Sequence, residues 1–250
     1  MDNLNSSYLI SVSLDRTVTK RDEYPFNLPA IRGFTDLRFH PRVTFIVGEN
    51  GSGKSTIVEG LAIALGLNAE GGSFNLSFAT HDTHSSLHEY LRIVRGTRRP
   101  KDGFFLRAES FYNVATMVDQ INNNVGYSSQ HANNDSKPLH GQSHGEAFLS
   151  LVRHRLQGGL YMMDEPEAAL STTGQMEFLA LIHELVGKGA QLIIATHSPI
   201  IVSYPDALIY EVDGESLQEV TYEQTKQYQL MRYFLNNYKS MLRDIIGKSE

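Results

Sequence analysis

The 250-residue sequence has no cysteine, no long apolar run and no excess of basic residues. Without cysteine there are no disulfides and no thiolate metal sites, which suits a reducing compartment. No apolar run approaches the ~18 residues of a membrane span, and the N-terminus has no basic region leading into an apolar segment. The expectation is a soluble cytoplasmic protein without membrane insertion. Lys+Arg 22 against Asp+Glu 28 gives a net charge of -6, so no global basic surface announces nucleic acid, although a local patch could still bind it. No internal repeat is visible. At 41% hydrophobic, the chain suffices for one large α/β domain or two small ones. It is too short for a head plus coiled-coil arms.

What is present centres on residues 43–56, VTFIVGENGSGKST. An apolar run (Val43, Phe45, Ile46, Val47) drops into Gly48, Glu49, Asn50, Gly51, Ser52, Gly53, Lys54, Ser55 and Thr56, the Walker A spacing. In that pattern loop amides cradle phosphates, Lys reaches the β/γ-phosphates and Ser coordinates Mg²⁺. By composition alone it would arise in roughly one chain in a hundred of this length, as an ordinary glycine turn. Ile57, Val58, Leu61, Ala62, Ala64 and Leu65 continue with a helical period. Strand, loop and helix is the order a phosphate site requires, because the helix N-terminus adds partial positive charge.

Upstream, residues 8–14 alternate as a strand and 37–39 suggest a second; between them Tyr24-Pro25-Phe26 offers either a ring to stack on a base or plain core packing. Residues 66–83 look like loop or a short hairpin. Leu87, Tyr90, Leu91 and Val94 share a helical face, followed by Arg95, Arg98, Arg99 and Lys101, the densest basic run of the chain. It reads as a phosphate contact, to nucleotide or nucleic acid, or as a solvated face. His81, His84 and His88 lack the cysteines or HExxH of a zinc site. A strand over 103–109, a helix over 111–121 and a polar loop over 122–143 follow.

Ser143-His144-Gly145-Glu146 opens a helix, and residues 160–164 make an apolar strand ending in Asp164 and Glu165. That is the Walker B design: Asp164 helps hold Mg²⁺, and Glu165 is placed to orient or deprotonate water. A helix over about 173–186 leads to a strand, 191–195, and to His197, whose imidazole could hydrogen-bond a γ-phosphate. A hairpin at 207–220 and an amphipathic helix from residue 224 close the chain.

Walker A, Ser-x-Gly-Glu, AspGluPro with Ala-Leu-Ser behind it, and a strand ending in Thr-His together resemble the ABC-type ATPases in number and order. GENGSGKST and the signature ending in Glu are more similar to chromosome-maintenance and DNA-repair ATPases than to transporter subunits. The sequence looks closest to the small stand-alone bacterial "predicted ATPase" group, which it matches at PheHisPro, PhePheLeuArgAlaGluSer, GlnSerHisGlyGlu and GluProGluAlaAlaLeuSer. The resemblance implies an α/β P-loop fold with a mixed central sheet flanked by helices. It implies a core lobe at about 1–66 and 159–250 and an inserted helical and signature lobe at about 67–158. It further implies ATP and Mg²⁺ as cofactors, Glu165 as base, His197 as γ-phosphate sensor, and Ser55 and Asp164 on the metal. ATP would be sandwiched in a homodimer between residues 48–56 of one copy and Ser143, Gly145 and Glu146 of the other, with 168–171 crossing the interface. Two departures stand out: His144 replaces a glycine or serine of the signature, and no Gln-containing loop is evident, Glu109 being the nearest substitute on the metal.

Three readings stay open: a regulatory or mechanical ATPase acting on a protein partner, a DNA-associated switch, and the nucleotide-binding subunit of a membrane importer.

Overall fold

The computed structural model describes residues 7–15, 22–69, 71–73, 85–107 and 144–247. The first half holds strand β1 (Leu9–Leu14), helix α1 (Pro29–Arg32), β2 (Asp36–Arg38), β3 (Val43–Val47), α2 (Lys54–Ala64), β4 (Gly72–Ser73), β5 (Leu91–Arg95) and β6 (Gly103–Arg107). The second half holds α3 (His144–Arg155), β7 (Leu160–Asp164), α4 (Thr172–Gly187), β8 (Gln191–Thr196), α5 (Pro199–Val202), β9 (Leu208–Asp213), β10 (Ser216–Val220) and α6 (Lys226–Ile246).

Among the described residues these strands make two sheets. The larger runs β10-β9-β3-β8-β7-β6-β4, and the smaller β2-β1-β5. The five central strands of the larger sheet are parallel, whereas β10 and β4 pair antiparallel at its edges. The mixed sheet expected from the sequence is therefore present. Its central strands are apolar runs because both faces are covered. Side chains alternate between two cores: Phe45, Phe104, Tyr161, Met163, Leu192 and Ile194 enter one with Phe148 of α3 and Phe178 of α4. Ile46, Phe105, Met162, Ile193 and Ala195 enter the other with Ile57 and Leu61 of α2 and Leu9 and Val12 of β1. That period of two is the pleat itself.

Several expectations change here. Residues 86–90 form a single 3₁₀ turn, and 91–95 are a strand on β1 rather than one helical face. Leu91-Arg92-Ile93-Val94-Arg95 has the alternation and β-branching of an edge strand, and only Leu87 of the expected helical face is fully buried. Strands β4, β5 and β6, from the stretch assigned to an inserted lobe, are members of the two sheets. Phe26 is buried edge-on against Tyr90 at 5.1 Å, so it packs in the core, whereas Tyr24 is exposed. The expected helix over 111–121 and loop over 122–143 lie outside the described residues, as do Glu109, Ser143, His81 and His84. Among the described residues no helix is long and apolar enough to cross a membrane.

Candidate functional site

Strand β3, buried at every residue, ends between β8 and β9, and the chain turns out of the sheet at its C-terminal edge. Gly48 turns at φ 151°, where a Cβ would stand 3.0 Å from Val212 Cβ. Gly53, which caps α2 at φ 99°, would press a Cβ on Leu28 and Ala30 at 3.1 and 3.3 Å. Neither position accepts an L side chain without strain. The Ala30 amide donates to the Ser52 carbonyl at 2.9 Å, tying the loop to the segment before β2.

Lys54, the first residue of α2, is 3% exposed, and its Nζ donates to the Glu49 carbonyl at 2.8 Å. Burial pushes its pKa below the ordinary lysine value, against the opposing charges of Glu165, Asp164, Glu167 and Glu49. The ammonium is folded back on its own loop. Ser52 Oγ beside it is buried without a hydrogen-bond partner. An unpaired buried hydroxyl, an under-compensated cation and the N-terminus of an eleven-residue helix are the groups a bound phosphate would satisfy.

The acids arrive from β7. Asp164 is its last residue and is 6% exposed. Glu165 follows in the left-handed region (φ 49°, ψ 52°), held by its amide donating to the Ala195 carbonyl of β8 at 2.9 Å. For a residue with a Cβ that conformation costs about 1–2 kcal/mol. From β8 comes His197: its amide donates to Glu167 Oε1 at 2.6 Å, and its Nδ1 lies 3.1 Å from the same oxygen and 3.8 Å from Glu165 Oε1. Glu167 is buried, with Oε2 unpartnered. On the other flank, Arg107 at the end of β6 bonds Glu59 of α2 at 2.7 Å and lies 3.8 Å from Asp164. Glu59 also accepts from the Ser85 amide at 3.1 Å.

Residues 48–56, Asp164, Glu165 and His197 therefore meet along one edge of the sheet. Of the described signature residues, Gly145 shows no contact with them. The neighbours a Cβ on Gly145 would have are Ala169 O at 3.1 Å and Leu170 Cδ2 at 3.8 Å, with no atom of the glycine loop among them. Glu146 lies in the first turn of the same helix. The basic run sits elsewhere: Arg98 stacks on the Tyr8 ring at 4.8 Å and donates to its hydroxyl at 3.1 Å, next to Gly189 before β8. That is the opposite edge of the sheet, which removes residues 98–101 from contact with a nucleotide at the loop.

Sequence reasoning missed Glu59, Arg107 and Glu167. Arg107 ends an apolar strand, but its place beside Asp164 is set by the register of β6 on β7. Also unanticipated is a cleft of about 240 Å³ beside the loop, walled by Pro29, residues 48–52, Glu211, Lys226 and Gln227.

Among the described residues no group of three or more histidine and acidic side chains is placed to hold a metal alone. Mg²⁺ keeps waters and takes one or two protein oxygens plus substrate phosphates. Ser55 and Asp164 are of the right chemistry.

Residues 26–143 match the AAA domain family. The chain is 25% identical over 198 residues to the macrolide export ATP-binding/permease protein MacB of Neisseria meningitidis, covering 70% of this chain and 29% of that protein. It is 34% identical over 68 residues to MacB of Escherichia coli K12, covering 27% and 10%. It thus spans less than a third of the length of these relatives. Among solved structures, cbiO1 of Clostridium perfringens, part of the ABC transporter complex cbiONQ, aligns at a TM-score of 0.52 and 18% identity, covering 94% of this chain and 97% of that one. The SMC head domain of Thermotoga maritima aligns at 0.45 and 18%, covering 86% and 98%.

Proposed function

We propose, from the premise that the chain has the fold of an ABC-type P-loop ATPase, that it binds Mg-ATP at residues 48–56 and hydrolyses it in a head-to-tail dimer. The observation that carries this reading is the split of the site. Lys54, Asp164, Glu165 and His197 converge on one sheet edge, while Gly145 packs against Ala169, away from the loop. A signature glycine with no loop atom among its close neighbours is available to the loop of a second copy.

In this reading loop amides and Lys54 bind the β- and γ-phosphates, the ammonium exchanging the Glu49 carbonyl for phosphate oxygen. Mg²⁺, held by Ser55 and Asp164, would neutralise charge developing on the transferred phosphoryl group. Glu165 takes the proton of the attacking water. His197, clamped by Glu167, donates toward the γ-phosphate oxygen and registers its departure. Arg107 keeps Asp164 aligned from the side. Closure on ATP and reopening on hydrolysis would then drive a change in a protein partner. What the longer relatives export is not carried over.

Light scattering of Glu165→Gln with Mg-ATP, with and without duplex DNA at low salt, tests this. The expected result is a dimer that ATP alone forms or tightens, with no effect of ATP in Lys54→Ala. A nucleotide-bound monomer in both conditions overturns the dimer, and dimerisation only on DNA moves the function to nucleic acid.

A further inference from the structure

Helix α6 has no buried residue over 21 positions. Its root is firmly held. Thr225 accepts from the Tyr228 amide, the Lys226 amide donates to Glu211 at 2.8 Å, and Lys226 Nζ bonds Asp213 at 2.6 Å. Beyond the first turn the helix leaves the body with eight large apolar side chains 38–72% exposed, from Leu230 to Ile246. Monomeric proteins rarely expose such a stripe without a use.

The stripe has an order. Met231, Phe234, Tyr238, Met241 and Ile245 recur at intervals of three and four, the spacing of a helix–helix seam, bordered by Leu230, Leu235 and Leu242. At this spacing the cations Arg232, Lys239 and Arg243 follow one another just beyond the Leu235 and Leu242 border, outside the seam. The helix bends at Asn237 (φ -128°, ψ 19°), whose side-chain amide donates to the Tyr233 carbonyl, and Asn237 lies off the seam. An anionic membrane is the other target such a helix suits. The chain's net charge of -6 opposes it, and a lipid surface requires no three-four spacing. The area also suits a protein partner: at roughly 100 Å² each, the six exposed side chains of the stripe offer about 600 Å² per copy, to which the half-buried Phe234 and Met241 add, close to one side of a standard interface.

We infer that α6 is a self-association helix that pairs in parallel with α6 of a second copy about a two-fold axis. The pair tethers two heads whether or not nucleotide is bound. This goes beyond the ATP-driven closure and does not need it. Parallel pairing follows because Arg232, Lys239 and Arg243 lie along one border of the stripe, and an antiparallel pair would set these borders against each other.

The cysteine-free chain makes the test direct. Single substitutions Met231→Cys and Ile245→Cys lie in the seam, and Lys239→Cys outside it. Full-length protein without nucleotide, mildly oxidised, should give disulfide-linked dimers of the first two and at least tenfold less of the third. Light scattering should show wild type as a dimer at tens of micromolar and Tyr238→Arg, at a half-exposed site, as a monomer. A wild-type monomer, equal cross-linking at all three positions, or linkage only when the Met231→Cys and Ile245→Cys proteins are mixed overturns the proposal. So does wild-type monomer binding to phosphatidylglycerol vesicles that Tyr238→Arg abolishes. Failure of the ATP-dependent closure leaves these nucleotide-free readouts untouched.

Discussion

The two edges of the central sheet are built from the same strands and treat polar groups in opposite ways. At the N-terminal edge every polar atom of Gln191 is used: Oε1 accepts from the Tyr8 and Leu9 amides, and Nε2 donates to the Leu9 and His40 carbonyls, all within 2.8–3.0 Å. This one buried side chain binds the small sheet to the large one. Nearby, Tyr161 donates to Asp102 at 2.9 Å and accepts from the Gln157 amide at 2.8 Å, Arg155 closes on Asp102, and burial pushes the phenol pKa well up. At the C-terminal edge, Ser52 Oγ and Glu167 Oε2 are buried without partners, Glu165 sits in a left-handed conformation and burial lowers the Lys54 pKa. Saturated polar groups stabilise. Unsaturated ones are held at a cost until a ligand completes them.

The sharpest way to break this contrast is Glu165→Gly. Turnover should fall by about 10²–10⁴, the usual contribution of a general base. Relief of the left-handed strain, less the added chain entropy of glycine, should stabilise the fold by roughly 0.5–1 kcal/mol. Phosphate release and thermal melting measure both, and a lower melting temperature would show that the strain is not there. Gln191→Leu should do the reverse. Leaving four backbone groups without their partner should cost at least about 3 kcal/mol, or roughly 10 °C in melting temperature for a chain this size. Turnover per folded molecule at 20 °C should hold.

The smallest effect concerns protons. Because the Lys54 pKa lies below its unfolded value, the unfolded chain keeps that proton to higher pH. The ligand-free protein should therefore gain stability as pH rises between the two values. Nucleotide phosphate favours the ammonium, so affinity should fall over the same alkaline window, with proton uptake on binding. Calorimetry in two buffers of different ionisation enthalpy detects that uptake, and no uptake would mean that Lys54 is already fully charged.

Legibility in the sequence follows the range of the interactions. The glycine loop, Asp164, Glu165 and His197 could be read because each sits at a fixed offset from an apolar strand, so local pattern and chemistry coincide. The mixed sheet came from the family resemblance and not from the local pattern. Glu59, Arg107 and Glu167 could not be read, because their role depends on which strands and helices become neighbours: Arg107 matters only once β6 lies beside β7. Residues 91–95 misled for a related reason. Their apolar residues fit both a helical and an alternating period, and the choice is made by β1, some eighty residues upstream. Gln191 gave no sign of its role, since a single glutamine before an apolar run is an ordinary strand start until its four partners are folded around it.

Helix α6 also acts as a length. Twenty-one residues at 1.5 Å each reach about 30 Å from a root whose neighbours, Gln227 and Lys226, wall the cleft beside the glycine loop. A tilt of roughly 10° at that root would move the tip by about 5 Å, close to one helical pitch. Geometry alone makes the arm a lever, in which a small tilt beside the glycine loop becomes a displacement of about a full turn at Ile246.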